Sequence, residues 1–594
     1  MTSPRTFFET QLQEAREAEA KAQRQFNSLA IGRLTAFVVG VASAWAWNRS
    51  GDSIWGGVTL IALVIFLVLM RRQQAARIQR DFQRNLQRIN EDELDRLSFK
   101  FKREDTGEQY QERDHPYATD LDIFGKHSLY RLLNRTRTAE GSRRLAQWLT
   151  QHAPLEEVTS RQVAAAEFRK EAEWRQQWEA TALLHEHAAQ HVGELRTWVN
   201  EPLAAPLQQS LRWRWWPAVT LTLGVLALTG VLPGWPFWPS LIAHGFILKR
   251  FNDQLQSLTN RTTSLGHTLL AYADLLHLAE TAPYQSPWWA ERQSAIKEAS
   301  TSLRSLGGWF ARLDYRHHPF FVLLVGLPFL WDLHCLAAIE RWKQQYGTQL
   351  HAWLEALADA EALNSLAGFA FANPDYTEPH LLAETTVHIE ADTMGHPLIP
   401  ADKRVSNDFS LKGTGQTMLI TGSNMSGKST FLRTVGLNLV LAQLGAVVSA
   451  QRFVCTPVQV FSSMRTQDSL EESTSSFYAE LKRLRQLLVL AEDAQVPVLY
   501  LLDEILKGTN SADRHRGAEA LIRQLHPKQS AGLVSTHDLE LGQWGATQTY
   551  VHNFHFRSDV QDGQLTFDYK LHGGICQSFN ASELMRMMGI RVDL

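Results

Sequence analysis

Apolar residues gather in blocks rather than spreading evenly along the chain. Met1–Ser28 is polar and charged, without the apolar run of a signal peptide. Ile31–Trp47 is then apolar apart from Arg33 and a few small polar residues. Asn48–Ser53 breaks it, and Ile54–Met70 is apolar without a charge, ending abruptly at Arg71-Arg72. Each run is 17 residues, the short edge of a membrane-spanning helix. Arg33 lies at one end and Arg71, Arg72, Arg77 and Arg80 at the other, with Arg49 alone in the loop between, so the positive-inside rule predicts cytoplasmic ends and an external loop. A hairpin buried in a soluble core would read similarly, but no nearby segment looks able to cover two all-apolar helices.

A second pair follows the same plan. Pro217–Leu232 and Trp235–Leu248 are apolar and joined by Pro233-Gly234, with Arg212 and Arg214 before and Lys249 and Arg250 after. Trp213, Trp215, Trp216, Trp235 and Trp238 stand where an interfacial aromatic belt is expected. The second arm has only 14 residues, which leaves both a dip and a span open. A third apolar run, Pro319–Trp331, is short, holds Pro328 and leads into amphipathic Asp332–Trp342; it predicts a core helix.

Around these blocks the periodicity is helical. Glu156–Val199 is rich in Gln, Arg, Glu and Ala; Leu255, Leu258, Leu265, Leu269, Leu270, Leu275 and Leu276 keep roughly helical spacing; Asp332–Ala370 reads as one long helix or two. After Pro374 short β-like runs begin, such as Thr386–Ile389 and Thr417–Thr421. The expected division is an N-terminal helix and first hairpin over 1–100 (hairpin about 31–70), a helical segment over 101–216, the second hairpin over 217–248, a helical lever over 249–374, and an α/β domain over 375–594.

A chain of 594 residues exceeds one core, in keeping with that division. Its 59 Lys+Arg against 62 Asp+Glu give no global basic excess of the kind that advertises nucleic-acid binding. Cys335, Cys455 and Cys576 are scattered and odd in number, which argues against a disulfide framework or structural zinc and fits a reducing compartment.

The chemistry sits in the last third. Thr417–Thr421 is a buried-strand run feeding into Gly422-Ser-Asn-Met-Ser-Gly427-Lys428-Ser429-Thr430, after which a helical pattern starts. This is G-x-x-x-x-G-K-[ST] between strand and helix, a phosphate-binding loop. Backbone N–H groups from Gly422, Ser423, Asn424, Met425, Ser426, Gly427 and the turn through Thr430 converge on phosphate oxygens at a helix N-terminus. Lys428 reaches the β- and γ-phosphates of ATP, and the Ser429 hydroxyl is a ligand for Mg²⁺.

Pro497–Leu502 is a continuous apolar strand ending in Asp503-Glu504. Asp503 is placed to hold Mg²⁺ through water, and Glu504 to polarise the attacking water. Ser473-Thr-Ser-Ser-Phe-Tyr-Ala-Glu480 opens an amphipathic helix with more hydroxyls than capping requires. One reading is an N-cap with a polar loop; the sharper one has Ser475 and Ser476 meeting the γ-phosphate held by a second subunit. Gly532–Asp538 is another strand, ending in His537 where a γ-phosphate sensor would stand.

Taken together these segments resemble the MutS family, the mismatch-repair branch of the ABC-type fold. Thr421–Thr430 resembles that family's T-G-x-N-M-x-G-K-S-T, and Asp503–Ser511 its D-E-x-x-x-G-T-x-[ST], with Asp513 at the next acidic position. Ser535-Thr-His537 is similar to A-T-H, and Gly395-His-Pro397 and Asn407-Asp408 to the elements preceding the nucleotide site. Ser128–Thr136, with Thr138, Gly141 and Leu145–Leu149, is similar to the start of the family's helical core. The resemblance covers roughly 120–200 and 330–590. It implies an ABC-type α/β P-loop NTPase domain behind an all-α core and lever domain, here carrying two transmembrane hairpins. It also implies ATP and Mg²⁺ at a head-to-head homodimer interface, with Lys428, Glu504 and His537 catalytic, Ser429 and Asp503 on the metal, and Asp513 on the nucleotide.

The departures are equally informative. The family's mismatch-reading domain has no counterpart, and Phe7-Phe8-Glu9 matches its Phe-x-Glu wedge only by letters, in a short polar tail. The second hairpin interrupts the core about where the family inserts its DNA clamp. Ser426 stands where Gly is usual, and Ser473 replaces the Gly of the signature loop. The expectation is a multi-pass membrane protein with a cytoplasmic ATPase domain, in which ATP-driven dimerisation moves helical levers. Alternatives are a tethered repair or recombination factor that binds mismatched or branched DNA, and a nucleotide-regulated membrane scaffold.

Overall fold

Two very long helices open the chain, Pro4–Ser50 and Ser53–Leu97 in a computed structural model that describes residues 3–185, 192–202, 213–259, 261–423, 425–465, 476–492, 494–561 and 564–576. Local signals set their ends. Ser3 caps the first by accepting from Thr6 N, Gly51 stops it at φ 70°, and Asp52 caps the second by accepting from Ile54 N. The apolar runs are thus only the outer parts of helices of 47 and 45 residues, each about 70 Å long.

The inner half of this hairpin is a polar antiparallel pair, with Arg16 on Glu91 (2.9 Å), Arg84 on Glu19 (3.2 Å), and Leu12, Ala15 and Ala22 buried. In the outer half small residues bring the backbones close. A Cβ on Gly40 would lie 3.5 Å from Ala62, and Ser43 and Thr59 share a hydrogen bond of 2.9 Å. Leu34, Val38, Leu60, Leu63 and Leu67 face outward and are exposed. Both helices are long and apolar enough to cross a membrane by length and composition.

The expected polar tail is therefore a correction. Phe7 and Phe8 lie in the first helix, and their rings pack edge-on against Phe371 at 5.1 and 5.7 Å. Helical periodicity continues through polar residues, so the hairpin's base docks on the end of the lever instead of fraying.

That lever is a single helix, Trp331–Ala372, whose second half is almost wholly buried. Helices Ala139–Thr150, Leu155–Lys170, Ala172–Leu184 and Ala299–Asp314 pack around it. At their centre is a buried ionic junction. Glu93 of the hairpin pairs with Arg96 (2.5 Å) and Arg135 (2.7 Å), while Arg137 pairs with Glu179 (2.9 Å) and Asp92 (3.5 Å). Glu361 of the lever accepts from Thr138 Oγ1 (2.6 Å) and from the Thr138 and Arg137 backbone N–H groups. Two glycines make room, since a Cβ on Gly141 would overlap the Glu361 carboxylate and one on Gly368 the Arg135 guanidinium.

A second correction concerns Pro319–Trp331, which is not a core helix. Pro319–Gly326 forms an irregular turn-and-π segment that meets the lever at an 85° bend, through Leu330 at φ 48°. Phe320, Leu323 and Leu324 are exposed. Pro328 lacks the N–H needed to continue a helix, and the segment is tied to the short helix Phe237–Arg250 through His244 and the Leu327 carbonyl.

The last third is α/β. Strands β1 (His380–Leu381), β2 (His388–Met394), β3 (Asn407–Lys412) and β5 (Arg452–Cys455) form a mixed sheet in the order β1-β5-β2-β3. Strands β4 (Thr417–Thr421), β6 (Gln459–Ser463), β7 (Val498–Asp503), β8 (Ser530–Thr536), β9 (Val551–Gln561) and β10 (Gln564–Gly573) form a second, in the order β10-β9-β4-β8-β7-β6. All its pairings are parallel except β9–β10. β4, β7 and β8 are buried almost throughout, as continuous apolar runs require.

A strap from the helical core crosses this domain. Asp120 accepts from Ser462 Oγ (2.8 Å) and from Met464 and Arg465 N–H, and Leu121 packs over Gly436. Arg483 donates to the carbonyls of Pro116 (2.6 Å) and His115 (2.9 Å).

Candidate nucleotide site

Parallel strands project their C-terminal ends to one edge of the sheet, and the site is built there. β4 delivers Gly422 at φ 154°, and Gly427 at φ 105° precedes the helix Lys428–Leu444. Met425 adopts φ 69° and is exposed, as is Thr430. Asn424 lies outside the described residues.

Lys428 is nearly buried, and its ammonium donates to the carbonyls of Gly422 (2.8 Å) and Ser423 (3.0 Å), 3.7 Å from Glu504. Burial pushes its pKa down, opposed by Glu504 and Asp503. Ser429 Oγ donates to Asp503 Oδ2 at 2.6 Å, and the other Asp503 oxygen accepts from Ser535 Oγ. β7 and β8 are adjacent with Asp503 opposite Ser535, so register alone brings these groups together.

Glu504 is held one residue beyond the strand at φ 49°. His537 Nδ1 lies 3.7 Å away, Lys507 3.2 Å and Lys428 3.7 Å. The His537 imidazole, then Lys507 and Lys428, hold its carboxyl down at about 2 against burial, which pushes it up. Arg514 Nη1 is 3.3 Å from His537 Nε2. Arginine only donates, so Nε2 accepts and the ring proton sits on Nδ1, facing Glu504.

The remaining expected residues divide. Asp513 lies in the first turn of the helix Ser511–Leu525, where its backbone N–H and carboxylate both bond to the Asn510 cap; among the described residues no hydrogen bond joins it to the phosphate loop. Ser476 begins the helix Ser476–Glu492, whereas Ser473 and Ser475 fall outside the described residues. The following turn is fixed on the segment after Glu504, with Phe477 against Gly508 and Glu480 accepting from Leu506 N.

Asn407 is a joint, bonding Tyr569 O (3.0 Å) and Leu571 N (2.8 Å) to tie β3 to β10. Asn438 donates to Gly395 O (3.0 Å), and burial first, then Arg433 and Arg404, pushes His396 down to about 4. Lys507, Arg514 and Tyr569 escaped the sequence reading. Tyr569 lies against the phosphate loop, 3.1 Å from where a Cβ on Gly427 would be. Lys507, three residues beyond Glu504, carried a readable signal; Tyr569 reaches the loop only because β10 folds back on β9.

The donor set fits a nucleotide. Ser423 and Ser426 each bury a hydroxyl that has no hydrogen-bond partner among the described residues, and the Lys428 ammonium rests on loop carbonyls, a weaker match than an anion. The groups that would hold Mg²⁺ are Ser429 and Asp503, one hydroxyl and one carboxylate already in contact.

Residues 418–591 match the family model for MutS domain V, a P-loop ATPase-type α/β domain. The chain is 32% identical over 240 residues to the DNA mismatch repair protein MutS of Natronomonas pharaonis, covering 40% of this chain and 27% of that protein. It is 30% identical over 270 residues to the DNA mismatch repair protein MutS of Geobacillus thermodenitrificans (44% and 29%). Against the Endonuclease MutS2 of Bacillus velezensis it is 30% identical over 244 residues (40% and 30%). The similarity thus spans less than a third of each relative's length. The phosphate loop, the Asp503–Glu504 strand end and His537 are all assembled on one edge of this sheet, within the stretch that is similar to the ATPase domain of the MutS family.

Proposed function

We propose that the protein is a membrane-anchored ATPase that binds and hydrolyses ATP between two ATPase domains meeting head to head, and passes the closure of that dimer along its helices to membrane-inserted segments. The observation that carries the reading is the cluster of Ser429, Asp503, Glu504 and His537 around Lys428. Magnesium–ATP, once bound, supplies the phosphoanhydride whose cleavage drives the cycle. Lys428 would exchange its two carbonyl partners for phosphate oxygens, Asp503 with Ser429 would hold the metal, and the Glu504 carboxylate would orient the attacking water, with His537 beside it. Met425 is exposed, and a second subunit would meet the nucleotide there and at the start of the helix Ser476–Glu492.

Membrane anchoring is supported by the length and outward apolar face of the first hairpin, with the ATPase domain cytoplasmic by the positive charge at its base. The path from site to membrane is supported by the strap at Asp120, the lever helix and the junction at Glu93. Replacing Glu504→Gln is expected to abolish turnover while ATP binding persists; unchanged turnover sinks the assignment, and loss of turnover with intact cellular function favours a scaffold. The relatives' names favour a second reading, in which the tethered protein binds DNA. It predicts that heteroduplex or branched DNA stimulates the ATPase of the detergent-solubilised protein in a salt-sensitive manner.

A further inference from the structure

The helices Trp216–Leu228 and Phe237–Arg250 have 13 and 14 residues, about 20 Å each, against a hydrocarbon core of about 30 Å. Neither is long enough to cross it upright. They nevertheless turn Leu221, Leu228 and Phe246 outward, and Pro319–Gly326 beside them exposes Phe320, Leu323 and Leu324, the first at 81%. In water such a cluster would be a liability.

Its polar groups point the other way. His244 is fully buried, and its Nδ1 lies 2.8 Å from the carbonyl of Leu327. A carbonyl only accepts, so Nδ1 donates and Nε2 is left to accept the Thr220 hydroxyl proton at 2.9 Å. Thr220 is 2.5 Å from Ser240 Oγ, and the Trp216 indole donates to Ser240 O at 3.3 Å. Thr222 and Thr229, on the outer side, bond back to the carbonyls of Ala218 and Val225. Internal satisfaction of every such group is what a hydrocarbon solvent demands and water does not. The imidazole therefore pins the broken segment to the hairpin.

Charges collect only at the base. Arg214, Lys249 and Arg250 flank the two helices. Arg316 pairs with Asp332 at the start of the lever (3.4 Å), and Trp331 donates to Arg312 O (2.9 Å). A basic base beneath an apolar top matches the headgroup layer of an anionic lipid surface.

We propose that Trp216–Leu228, Phe237–Arg250 and Pro319–Leu330 form one re-entrant wedge, locked by His244, that enters the lipid bilayer from the cytoplasmic face without crossing it and seats the start of the lever helix at the membrane. The proposal rests on the membrane reading of the first hairpin and adds a second, non-spanning contact.

Depth measurements on the full chain test it. The native cysteines are all buried, so an introduced exposed cysteine takes an environment-sensitive fluorophore selectively. Leu324→Cys and Val231→Cys report on the wedge, Leu63→Cys on the first hairpin and Val163→Cys on the aqueous surface. In phosphatidylcholine–phosphatidylglycerol vesicles, the two wedge labels should shift to the blue, be quenched by acyl-chain spin labels and lose quenching by iodide. A polar thiol reagent confined to the far side should not reach unlabelled Val231→Cys. Wedge labels open to iodide while the Leu63→Cys label stays in lipid would overturn the wedge alone, whereas an aqueous Leu63→Cys label would overturn the anchor beneath it as well. Labels shielded from both quenchers would identify a protein partner or second copy instead, and far-side reaction at Val231→Cys would identify a span; either result rejects the wedge.

Discussion

Glu504 sits among three cationic or potentially cationic groups, and its chemistry follows from them. A carboxyl held at about 2 is ionised throughout the neutral range, so it contributes no acid limb to turnover near neutrality. In the His537→Ala variant its largest lowering influence is gone, and the carboxyl moves up toward its ordinary 4.5. The expected outcome is an acid limb of kcat shifted to higher pH, read from a pH–rate profile. Stability carries the matching sign. A depressed carboxyl stabilises the fold above its unfolded value of 4.5, and that contribution is lost as pH falls through about 2. Glu504→Gln should therefore lower the thermal midpoint near neutral pH, with the gap closing only in strong acid. Asp503, Glu504, Lys428 and Ser429 were legible because strand, loop and helix signals bracket them. Arg514 was harder, since helix-surface cations usually face solvent, and only the seating of the Ser511–Leu525 helix brings it to His537.

Among the elements, the lever and the first hairpin are joined by charges that burial would otherwise penalise heavily. Glycine at 141 and 368 is the condition for that joint, because each position lacks the one atom that would displace a partner. Gly141→Ala is expected to cost about 1–3 kcal/mol through overpacking. It should appear in thermal unfolding as earlier melting of the helical region, with nucleotide binding to the ATPase domain unchanged. Helical periodicity made the lever legible. It could not reveal the joint, since Glu93, Arg135 and Glu361 are far apart in sequence and charged residues ordinarily predict a solvated face. The segment Pro319–Leu330 misled for a related reason. A short apolar run looks the same whether protein or lipid covers it.

For the molecule as a whole, the connections among the described residues between nucleotide and proposed membrane include the strap at Asp120, the lever, the junction at Glu93, and the docking of Phe7 and Phe8 on Phe371. Arg465 and Arg483 are both held by the strap, which ties this part of the ATPase domain to the helical core. A paired Leu63→Asp and Val64→Asp variant places two carboxylates on the outward face of the first hairpin, at about 3 kcal/mol each in a bilayer centre. It should move the protein out of the carbonate-resistant membrane fraction; unchanged extraction would count against a spanning hairpin. Wild-type protein found wholly in the soluble fraction would remove the anchor altogether.

What the sequence determined by itself is whatever depends on near neighbours along the chain: the helical periods, the apolar blocks, the caps at Ser3 and Asp52, and the phosphate loop with its acidic strand end. These need only a local backbone shape and a few side chains at fixed spacing. Tertiary structure alone decided the rest. It placed Ser535 against Asp503 through strand register, folded Tyr569 onto the phosphate loop, buried the charges around Glu93, and turned Phe320, Leu323 and Leu324 out of the core while Leu327 met His244. Each of these depends on which distant surface arrives, and hydrophobicity along a chain measures only the tendency to leave water, not what replaces it.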